Sequence, residues 1–366
     1  MNKQRLLDTF LRYIQIDSES FNEINFADAV AADLAEAGCE VYRDECGKSF
    51  GSNAGNVYAV LKGDEAREPI LFSAHMDTVK PGVNIKPVIK DGTIYSDGTT
   101  VLGGDDKSGV AAVVEALRTI KEENRSHPTI EVVFTVCEEV GLLGSKNMDY
   151  SRITAKKAAV LDSSGDAGKI ITSAPGQVKI DGCFIGKSAH AGIAPESGIS
   201  AIQIAAEAVS NMKLLRIDEE TTANIGTFSC EGATNIVADK VTFIAEARSL
   251  NREKLAAQTL HMTQCIDNAC KKFGGRFEGK VLELYQPYAK PDTDPFVQEV
   301  IAACESIGLK AETASTGGGS DANNMNQNGI CAVVLGTGMA NVHTVNEFIT
   351  IENLENTARL VLELTK

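Results

Sequence analysis

The sequence of 366 residues contains 35 basic and 50 acidic residues, which gives a formal net charge of −15. A hydrophobic content of 43% and a charged content of 23% are typical of globular proteins, which excludes a collagen, a coiled coil or a disordered chain. Clustered Lys and Arg are needed to bind nucleic acid, so the acidic balance predicts no nucleic-acid partner, and the length predicts two or three domains.

The start of the chain and its cysteines indicate a cellular location. The first helical pattern begins near Leu6 with no apolar segment and cleavage site before it, so we expect no signal peptide. No segment approaches the roughly 18 apolar residues of a membrane span, which predicts no membrane partner. The nine cysteines are odd in number and include no C-x-x-C pair, as is typical of free thiols in a reducing compartment. We therefore predict a cytoplasmic protein.

The first half of the chain alternates helical and strand patterns. Apolar residues at helical spacing predict helices over residues 25–38 and 107–121. Apolar runs of strand length predict buried strands over residues 56–61, 69–74, 129–137 and 158–161. This alternation predicts an α/β fold with a mainly parallel central sheet flanked by helices. In such sheets, ligands bind beyond the carboxyl ends of the strands.

The pattern changes after residue 173 and returns near residue 291. Between these points it predicts, in order, a strand (177–185), a helix (197–214), two strands (222–230 and 240–248), a helix (252–273) and a strand (276–285). That β-α-β-β-α-β order is typical of a ferredoxin-like α+β module. We therefore predict a discontinuous α/β domain, residues 1–174 and 288–366, interrupted by an inserted domain, residues 175–287.

Histidine and acidic residues follow the predicted strands. His75 and Asp77 come directly after the strand 69–74, and residues two apart in an extended chain point to the same side. We expect Asp77 to accept the imidazole N–H of His75 and to hold the other ring nitrogen towards a metal. The alternative for this pair alone is a core histidine with a satisfying carboxylate.

Two further acidic motifs follow along the chain. Asp105 lies in a Gly-Gly-Asp-Asp loop before a helix, where it could approach a metal or simply cap the helix. Glu138 and Glu139 follow the strand 129–137. One of them could bind an ion while the other accepts a proton from metal-bound water, or both could be solvated on a surface turn.

Asp162 follows the strand 158–161, and His343 lies late in the chain after a glycine-containing segment. Together these motifs provide five metal ligands: His75, Asp105, Glu139, Asp162 and His343. With neutral histidines the set carries three negative charges. Two divalent cations and one negatively charged bridging hydroxide would bring the net charge of the site to zero. One shared carboxylate fits two metals ~3.5–4 Å apart. Mixed nitrogen and oxygen ligands suit Zn²⁺, with Mn²⁺ or Co²⁺ as alternatives.

In this order the motifs resemble those of the M20 metallopeptidases, and the segment 102–109, Leu-Gly-Gly-Asp-Asp-Lys-Ser-Gly, looks most like the peptidase T branch. The resemblance implies a zinc exopeptidase-like fold over nearly the whole chain. It also implies a ligand assignment: His75 and Asp162 bind one ion, Glu139 and His343 bind the other, and Asp105 bridges. Glu138 would be the general base, and Asp77 would orient His75.

The resemblance also covers the inserted domain, which in the family is a lid and dimerisation domain. It implies that His190 helps stabilise the oxyanion, although the residues alone favour a surface histidine. Asn235 and Arg248 resemble residues that hold the substrate. Gly318 and Ser320 belong to a loop that resembles one lining the family's pocket. A homodimer through the lid is implied as well.

We therefore expect a two-metal hydrolase that cleaves the amide bond of a small peptide. The expected enzyme is a di- or tripeptide aminopeptidase in which Glu138 takes a proton and metal hydroxide attacks the carbonyl. An N-acyl amino acid deacylase or a carboxypeptidase could use the same site. A non-catalytic two-domain protein that binds a small molecule is the alternative from a different class.

Overall fold

The computed structural model describes all 366 residues, which form two compact units. The first unit contains Met1–Ser173, Ala289–Thr316 and Ser320–Lys366. The second unit contains Ala174–Tyr288 together with Gly317–Gly319. The roles assigned to these segments, a catalytic domain and a lid, stay predictions.

The secondary-structure elements are numbered in chain order. The helices are α1 (Lys3–Ile14), α2 (Ile24–Glu36), α3 (Gly104–Glu122), α4 (Leu143–Lys146), α5 (Ala201–Asn211), α6 (Arg252–Phe273), α7 (Pro295–Ser306), α8 (Asp321–Gln327) and α9 (Ile351–Leu364). The early strands are β1 (Glu40–Arg43), β2 (Val57–Leu61), β3 (Ile70–His75), β4 (Pro87–Lys90), β5 (Thr93–Ser96), β6 (Ile130–Thr135), β7 (Lys157–Ser163), β8 (Lys169–Ala174) and β9 (Gly176–Ile185). The later strands are β10 (Leu215–Arg216), β11 (Thr221–Ser229), β12 (Lys240–Ser249), β13 (Arg276–Tyr285), β14 (Tyr288–Ala289), β15 (Glu312–Ser315), β16 (Cys331–Gly336) and β17 (Phe348–Thr350). None of the helices combines the length and the apolar character that a membrane span requires.

A mixed sheet of nine strands forms the centre of the first unit. Its order is β1-β2-β6-β3-β7-β16-β8-β14, and β15 also pairs with β8. The four middle strands β6, β3, β7 and β16 are parallel to one another. The pairs β1–β2 and β2–β6 on one side, and β16–β8 on the other, are antiparallel. Helix α3 packs on β3 and β7, next to α1 and α9. The predicted α/β fold with a mainly parallel sheet is confirmed.

The middle strands are apolar because both of their faces are covered. Every residue of β3 and of β6 is buried, as expected for strands of a parallel sheet between two layers of helices. Parallel strands present their carboxyl ends at the same edge of the sheet. The residues at and after the ends of β3, β6, β7 and β16 therefore lie close together in space. The short strands β4, β5 and β17, which the sequence did not predict, form a separate antiparallel sheet in the same unit.

The second unit is an antiparallel sheet covered by two helices. The strand order is β10-β11-β12-β9-β13, and α5 and α6 pack on each other and on the sheet. Alternate residues of β12 are buried, which is the pattern of a strand with one covered face. The predicted ferredoxin-like order of elements is confirmed, with the two-residue strand β10 added at one edge. Phe184 and Phe243 pack edge to face in the core of the second unit, with ring centroids 5.4 Å apart.

Replacing Phe243, which is fully buried, tests whether this core holds the second unit together. Phe243→Ala is expected to lower the free energy of unfolding by about 3–5 kcal/mol, because it leaves a cavity. Urea unfolding followed by circular dichroism measures the change. Phe228→Ala is the control, since Phe228 on β11 is 45% exposed. Equal losses in the two variants would contradict the proposed core.

Candidate metal centre

His75, the last residue of β3, places one ring nitrogen among acidic oxygens. The side chain is 2% exposed, and its Nε2 lies 3.0 Å from Asp105 Oδ1 and 3.7 Å from Asp162 Oδ1. The other nitrogen, Nδ1, lies 2.9 Å from the backbone carbonyl oxygen of Asp77. Because a carbonyl oxygen only accepts hydrogen bonds, Nδ1 carries the proton in the neutral ring. Nε2 is then left to face a cation.

The carboxylate of Asp77 is used differently from the sequence prediction. It accepts the backbone N–H of Glu138 at 2.9 Å, the N–H of Glu139 at 3.3 Å and the hydroxyl of Ser20 at 2.7 Å. Its Oδ1 is 3.5 Å from His75 Nδ1, farther than the Asp77 carbonyl oxygen. The backbone carbonyl of Asp77 therefore contacts the ring, while its carboxylate contacts the two amides. Asp77 thus orients His75 through its backbone and holds the two glutamates through its side chain.

Asp105 and Asp106, at the start of α3, contact different partners. Asp106 Oδ1 accepts the N–H of Gly109 at 3.3 Å, as a helix cap does, and its Oδ2 accepts the N–H of His75 at 3.2 Å. Asp105 has non-helical backbone angles and joins Asp106 through a cis peptide bond. Its Oδ2 lies 3.3 Å from His343 Nε2, and its Oδ1 lies beside His75. The carboxylate of Asp105 therefore lies between the two histidines, and Asp106 is the residue that caps the helix.

Glu139 and His343 meet on the other side of Asp105. Glu139 Oε1 lies 2.9 Å from His343 Nε2. Glu139 Oε1 is nevertheless a buried oxygen without a hydrogen bond, so the geometry of this close contact does not satisfy it. Such an oxygen is costly unless another partner compensates it. A cation held by both side chains would supply that partner.

Three groups of side chains at this site have the geometry to hold a metal ion. Within each group the ligand atoms lie within 4.8 Å of one another. The groups are His75–Asp105–Asp162, Asp105–Glu139–His343 and His75–Glu138–Glu139. The first two share Asp105 and together contain every ligand that the sequence predicts. Their nitrogen and carboxylate donors fit one or two divalent cations of the zinc type.

Burial and mutual repulsion shape the charges of the site. Burial raises the pKa of Glu138 well above its usual value, and the neighbouring Asp162 raises it further. Burial would also raise the pKa of Asp105, but hydrogen bonds to His343 and His75 lower it. The nearby carboxylates of Asp105 and Glu139 raise the pKa of His343 to about 10. The protein thus crowds more negative charge here than it can keep ionised without positive partners.

Glu347 belongs to the surroundings of the site, and sequence reasoning missed it. Its side chain is buried, and its carboxylate accepts the N–H groups of Leu102 at 2.8 Å and of Gly103 and Asp105 at 2.9 Å each. Burial, with repulsion from Asp105, raises the pKa of this carboxyl group to about 7. Its position four residues after the predicted ligand His343 could have indicated this role, because carboxylates near metal ligands commonly hold them in place.

Asp321 is a second acidic residue that the sequence did not single out. It is 1% exposed at the start of α8, and its Oδ2 accepts the hydroxyl of Thr135 at 2.5 Å. Burial raises its pKa. Thr135 is the last residue of β6, so Asp321 braces the strand end that carries the two glutamates.

Two of the predicted substrate-contacting residues are exposed in the second unit. The imidazole Nδ1 of His190 accepts the N–H of Gly192 at 3.2 Å, and His190 forms an isolated β-bridge with Ile236. Asn235 lies beside this bridge, where its carbonyl oxygen accepts the N–H of Ala191 at 2.8 Å. Their contacts with substrate stay predictions.

Arg248 has a partner that the sequence did not reveal. Its Nε and Nη2 donate to the two carboxylate oxygens of Glu246, at 2.9 and 3.1 Å, and its Nη1 donates to the carbonyl oxygen of Gly317 at 3.3 Å. Gly318 belongs to the second unit, and Ser320 lies directly before α8 in the first. The predicted substrate contacts of these residues are untested. Any carboxylate that binds Arg248 would meet a guanidinium already paired with Glu246.

Comparison with known proteins identifies the family. Residues 71–366 match the model described as Peptidase family M20/M25/M40. The chain belongs to the M20 peptidase family. The predicted class, a metallopeptidase of the M20 type, is thereby confirmed.

Relatives of this M20 peptidase include aminopeptidases. The crystal structure of aminopeptidase PepT from Bacillus cereus ATCC 10987 has a TM-score of 0.91 and 44% identity, covering 100% of this chain and 98% of that chain. A tripeptidase structure from Staphylococcus aureus subsp. aureus Mu50 has a TM-score of 0.95 and 42% identity, with the same coverage. The uncharacterized protein YqjE of Bacillus subtilis strain 168 is 45% identical over 364 residues, covering 100% of this chain and 98% of the relative. The predicted resemblance to the peptidase T branch is confirmed.

Replacing Asp77 by Asn tests whether its carboxylate holds the backbone of Glu138 and Glu139 in place. Asp77→Asn leaves a single acceptor oxygen for three donors, so the two glutamates should lose their position. We expect a roughly 10–100-fold loss of metal affinity or activity, the usual effect of removing a residue that orients metal ligands. Metal content after dialysis and kcat/KM measure the effect. Asp91→Asn, on an exposed turn, is the control. Unchanged metal content and turnover in Asp77→Asn would refute the role.

Proposed function

We propose that this M20 peptidase is an aminopeptidase that releases the first residue of small peptides, such as di- and tripeptides, with the help of two divalent cations. The observation that carries the proposal is the pair of ligand groups that share Asp105, each with its ligand atoms within 4.8 Å. The relatives described as an aminopeptidase and a tripeptidase, at 44% and 42% identity over the whole chain, support the substrate class.

The proposed ligands follow the two groups. His75 and Asp162 would hold one cation, Glu139 and His343 the other, and Asp105 would lie between them. Nitrogen and carboxylate donors suit Zn²⁺ first, with Mn²⁺ or Co²⁺ as alternatives. When bound, such cations polarise the scissile carbonyl group and lower the pKa of water towards ~7.

Glu138 is proposed as the residue that moves protons. It lies outside the two groups that share Asp105, yet its carboxylate belongs to the third group with His75 and Glu139. Its backbone is fixed by the hydrogen bond to Asp77, and its side chain is 8% exposed. A carboxylate that is held at the site but not needed as a ligand can accept a proton from the attacking water. It can then deliver that proton to the leaving amine.

The remaining residue roles in the proposal come from the family resemblance. His190 would stabilise the oxyanion, Asn235 and Arg248 would hold the substrate, and Gly318 and Ser320 would line its pocket. The exposure of His190 and Asn235 supports the proposal, since both side chains are accessible to a ligand. Dimerisation through the second unit is proposed on the same basis.

Replacing Glu138 separates proton transfer from metal binding. Glu138→Gln keeps the size of the side chain but removes the basic oxygen. We expect kcat to fall by about 10²–10⁴-fold, the usual contribution of a general acid–base residue, while both metals stay bound. Steady-state kinetics and elemental analysis of the same sample measure the two quantities. Glu65→Gln, in an exposed turn, is the matched control. Wild-type turnover by Glu138→Gln would show that another group takes the proton.

A panel of related substrates tests the proposed bond. The panel contains a tripeptide, its N-acetylated form, its C-terminal amide, and acetyl- and succinyl-amino acids. Each is assayed after metal removal and after addition of Zn²⁺, Mn²⁺ or Co²⁺. We expect metal-dependent hydrolysis of the tripeptide and a loss of about 100-fold or more when its amino group is blocked, because an enzyme that recognises a free amino group rejects substrates that lack it. Preferred hydrolysis of acyl-amino acids would instead indicate a deacylase, and release of the last residue a carboxypeptidase.

A further inference from the structure

The proposed chemistry does not use Glu347, although this residue lies directly beside the ligands. Its Oε2 accepts the N–H groups of Leu102 and Gly103, and its Oε1 accepts the N–H of Asp105. The side chain is 2% exposed. A carboxylate that receives three backbone N–H groups fixes the backbone on which they lie. The Asp105 loop is thus fastened at the ligand residue itself.

The loop is shaped to receive this carboxylate. A Cβ atom on Gly104 would lie 3.1 Å from Glu347 Oε1, closer than ordinary van der Waals contact. Gly103 has a φ of +71°, a left-handed conformation that turns the loop before α3. The two glycines therefore let the N–H groups of Leu102, Gly103 and Asp105 point at one carboxylate. The close fit indicates a defined position for the carboxylate rather than a loose contact.

Glu347 itself belongs to the turn that carries His343. Glu347 donates its N–H to Thr344 O at 3.1 Å, and the Thr344 hydroxyl donates to Asn341 O at 2.7 Å. Asn341 Nδ2 donates to Asn346 O at 3.3 Å and closes the turn. His343 lies inside it with a φ of +62°. The turn is internally bonded, so fixing Glu347 also fixes His343.

We propose that Glu347 is a positioning residue that joins the His343 turn to the Asp105 loop and thereby sets the spacing of two ligands of one cation. The proposal rests on the metal site of the proposed function, but not on the substrate. Asp105 and His343 belong to the same ligand group, yet they are 238 residues apart in the sequence, by subtraction of their residue numbers. The carboxylate of Glu347 links the segments that carry them.

The amide variant tests this role, because Gln keeps the size of Glu but has only one acceptor oxygen. In Glu347→Gln an NH₂ group would replace one oxygen and face a backbone N–H, so the loop and the turn should separate. We expect the affinity for the cation of the Asp105–Glu139–His343 group to fall by about 10–100-fold, as when other ligand-orienting residues are removed. Glu347→Asp keeps the charge but shortens the reach and should give an intermediate loss.

The measurement is a Zn²⁺ titration of the metal-depleted full-length protein in competition with a chromophoric chelator. His343→Ala identifies the binding step that depends on this group, and Glu347→Gln should weaken that same step. Glu352→Gln, exposed at the start of α9, is the matched control and should leave the titration unchanged. A purely structural role would lower the melting temperature of the metal-free protein and leave the Zn²⁺ affinity of the folded protein as in the wild type.

An unchanged His343-dependent step in folded Glu347→Gln overturns the proposal, as does weakening of the other step alone. If Glu347→Gln does not fold, Glu347→Asp replaces it, since the shorter side chain withdraws the carboxylate from the loop without changing any charge. Unweakened Zn²⁺ binding in that variant also overturns the proposal. Tight Zn²⁺ binding by the wild type without peptide hydrolysis would refute the proposed function alone. No Zn²⁺ binding by the wild type would refute both.

Discussion

The crowding of carboxylates around Asp105 is the constraint on which the rest of the site depends. Asp105, Glu138, Glu139 and Asp162 come from three separate segments of the chain, and their largely buried carboxylates lie close together. Burying like charges together is costly unless positive charge or protons compensate them. Two histidines are the basic side chains in the ligand groups, and neutral histidines add no charge. Divalent cations at this point would turn mutual repulsion into attraction.

The fold supplies both the convergence and the rigidity. Four neighbouring parallel strands end at one edge of the central sheet, which brings residues from distant parts of the sequence together. The bracing contacts then come from residues outside the three candidate ligand groups. Asp77 holds the segment after β6, and Glu347 holds the loop before α3. Both act through backbone N–H groups, whose positions are less variable than those of side chains.

Much of this arrangement could be predicted because it follows from local pattern and sheet geometry. The buried runs before His75, Glu138 and Asp162 identify parallel strands, and parallel strands share one functional edge. The family resemblance supplied two further predictions, a general base at Glu138 and the pairing of the metal ligands. The short strands β4, β5 and β17 were missed because three or four partly exposed residues give no clear periodicity.

The bracing contacts could not be predicted, since they depend on tertiary geometry. Glu347 meets amides more than 240 residues earlier in the chain. The contacts of Asp77 also depend on tertiary geometry. The sequence predicts that its carboxylate contacts His75, but in the structure its backbone carbonyl oxygen makes that contact. Arg248 shows the limit of a motif match: the resemblance implies a residue that holds the substrate, but the motif does not reveal that Glu246 on the same strand pairs with it. Spacing of two along a strand could have signalled that pair.

We propose that Asp105 lies between two cations, and anomalous X-ray diffraction at the zinc absorption edge would locate them. Crystals of the Zn²⁺-loaded protein should show two anomalous peaks ~3.5–4 Å apart, one beside His75 and Asp162 and the other beside Glu139 and His343. A single peak, or peaks away from Asp105, would contradict it.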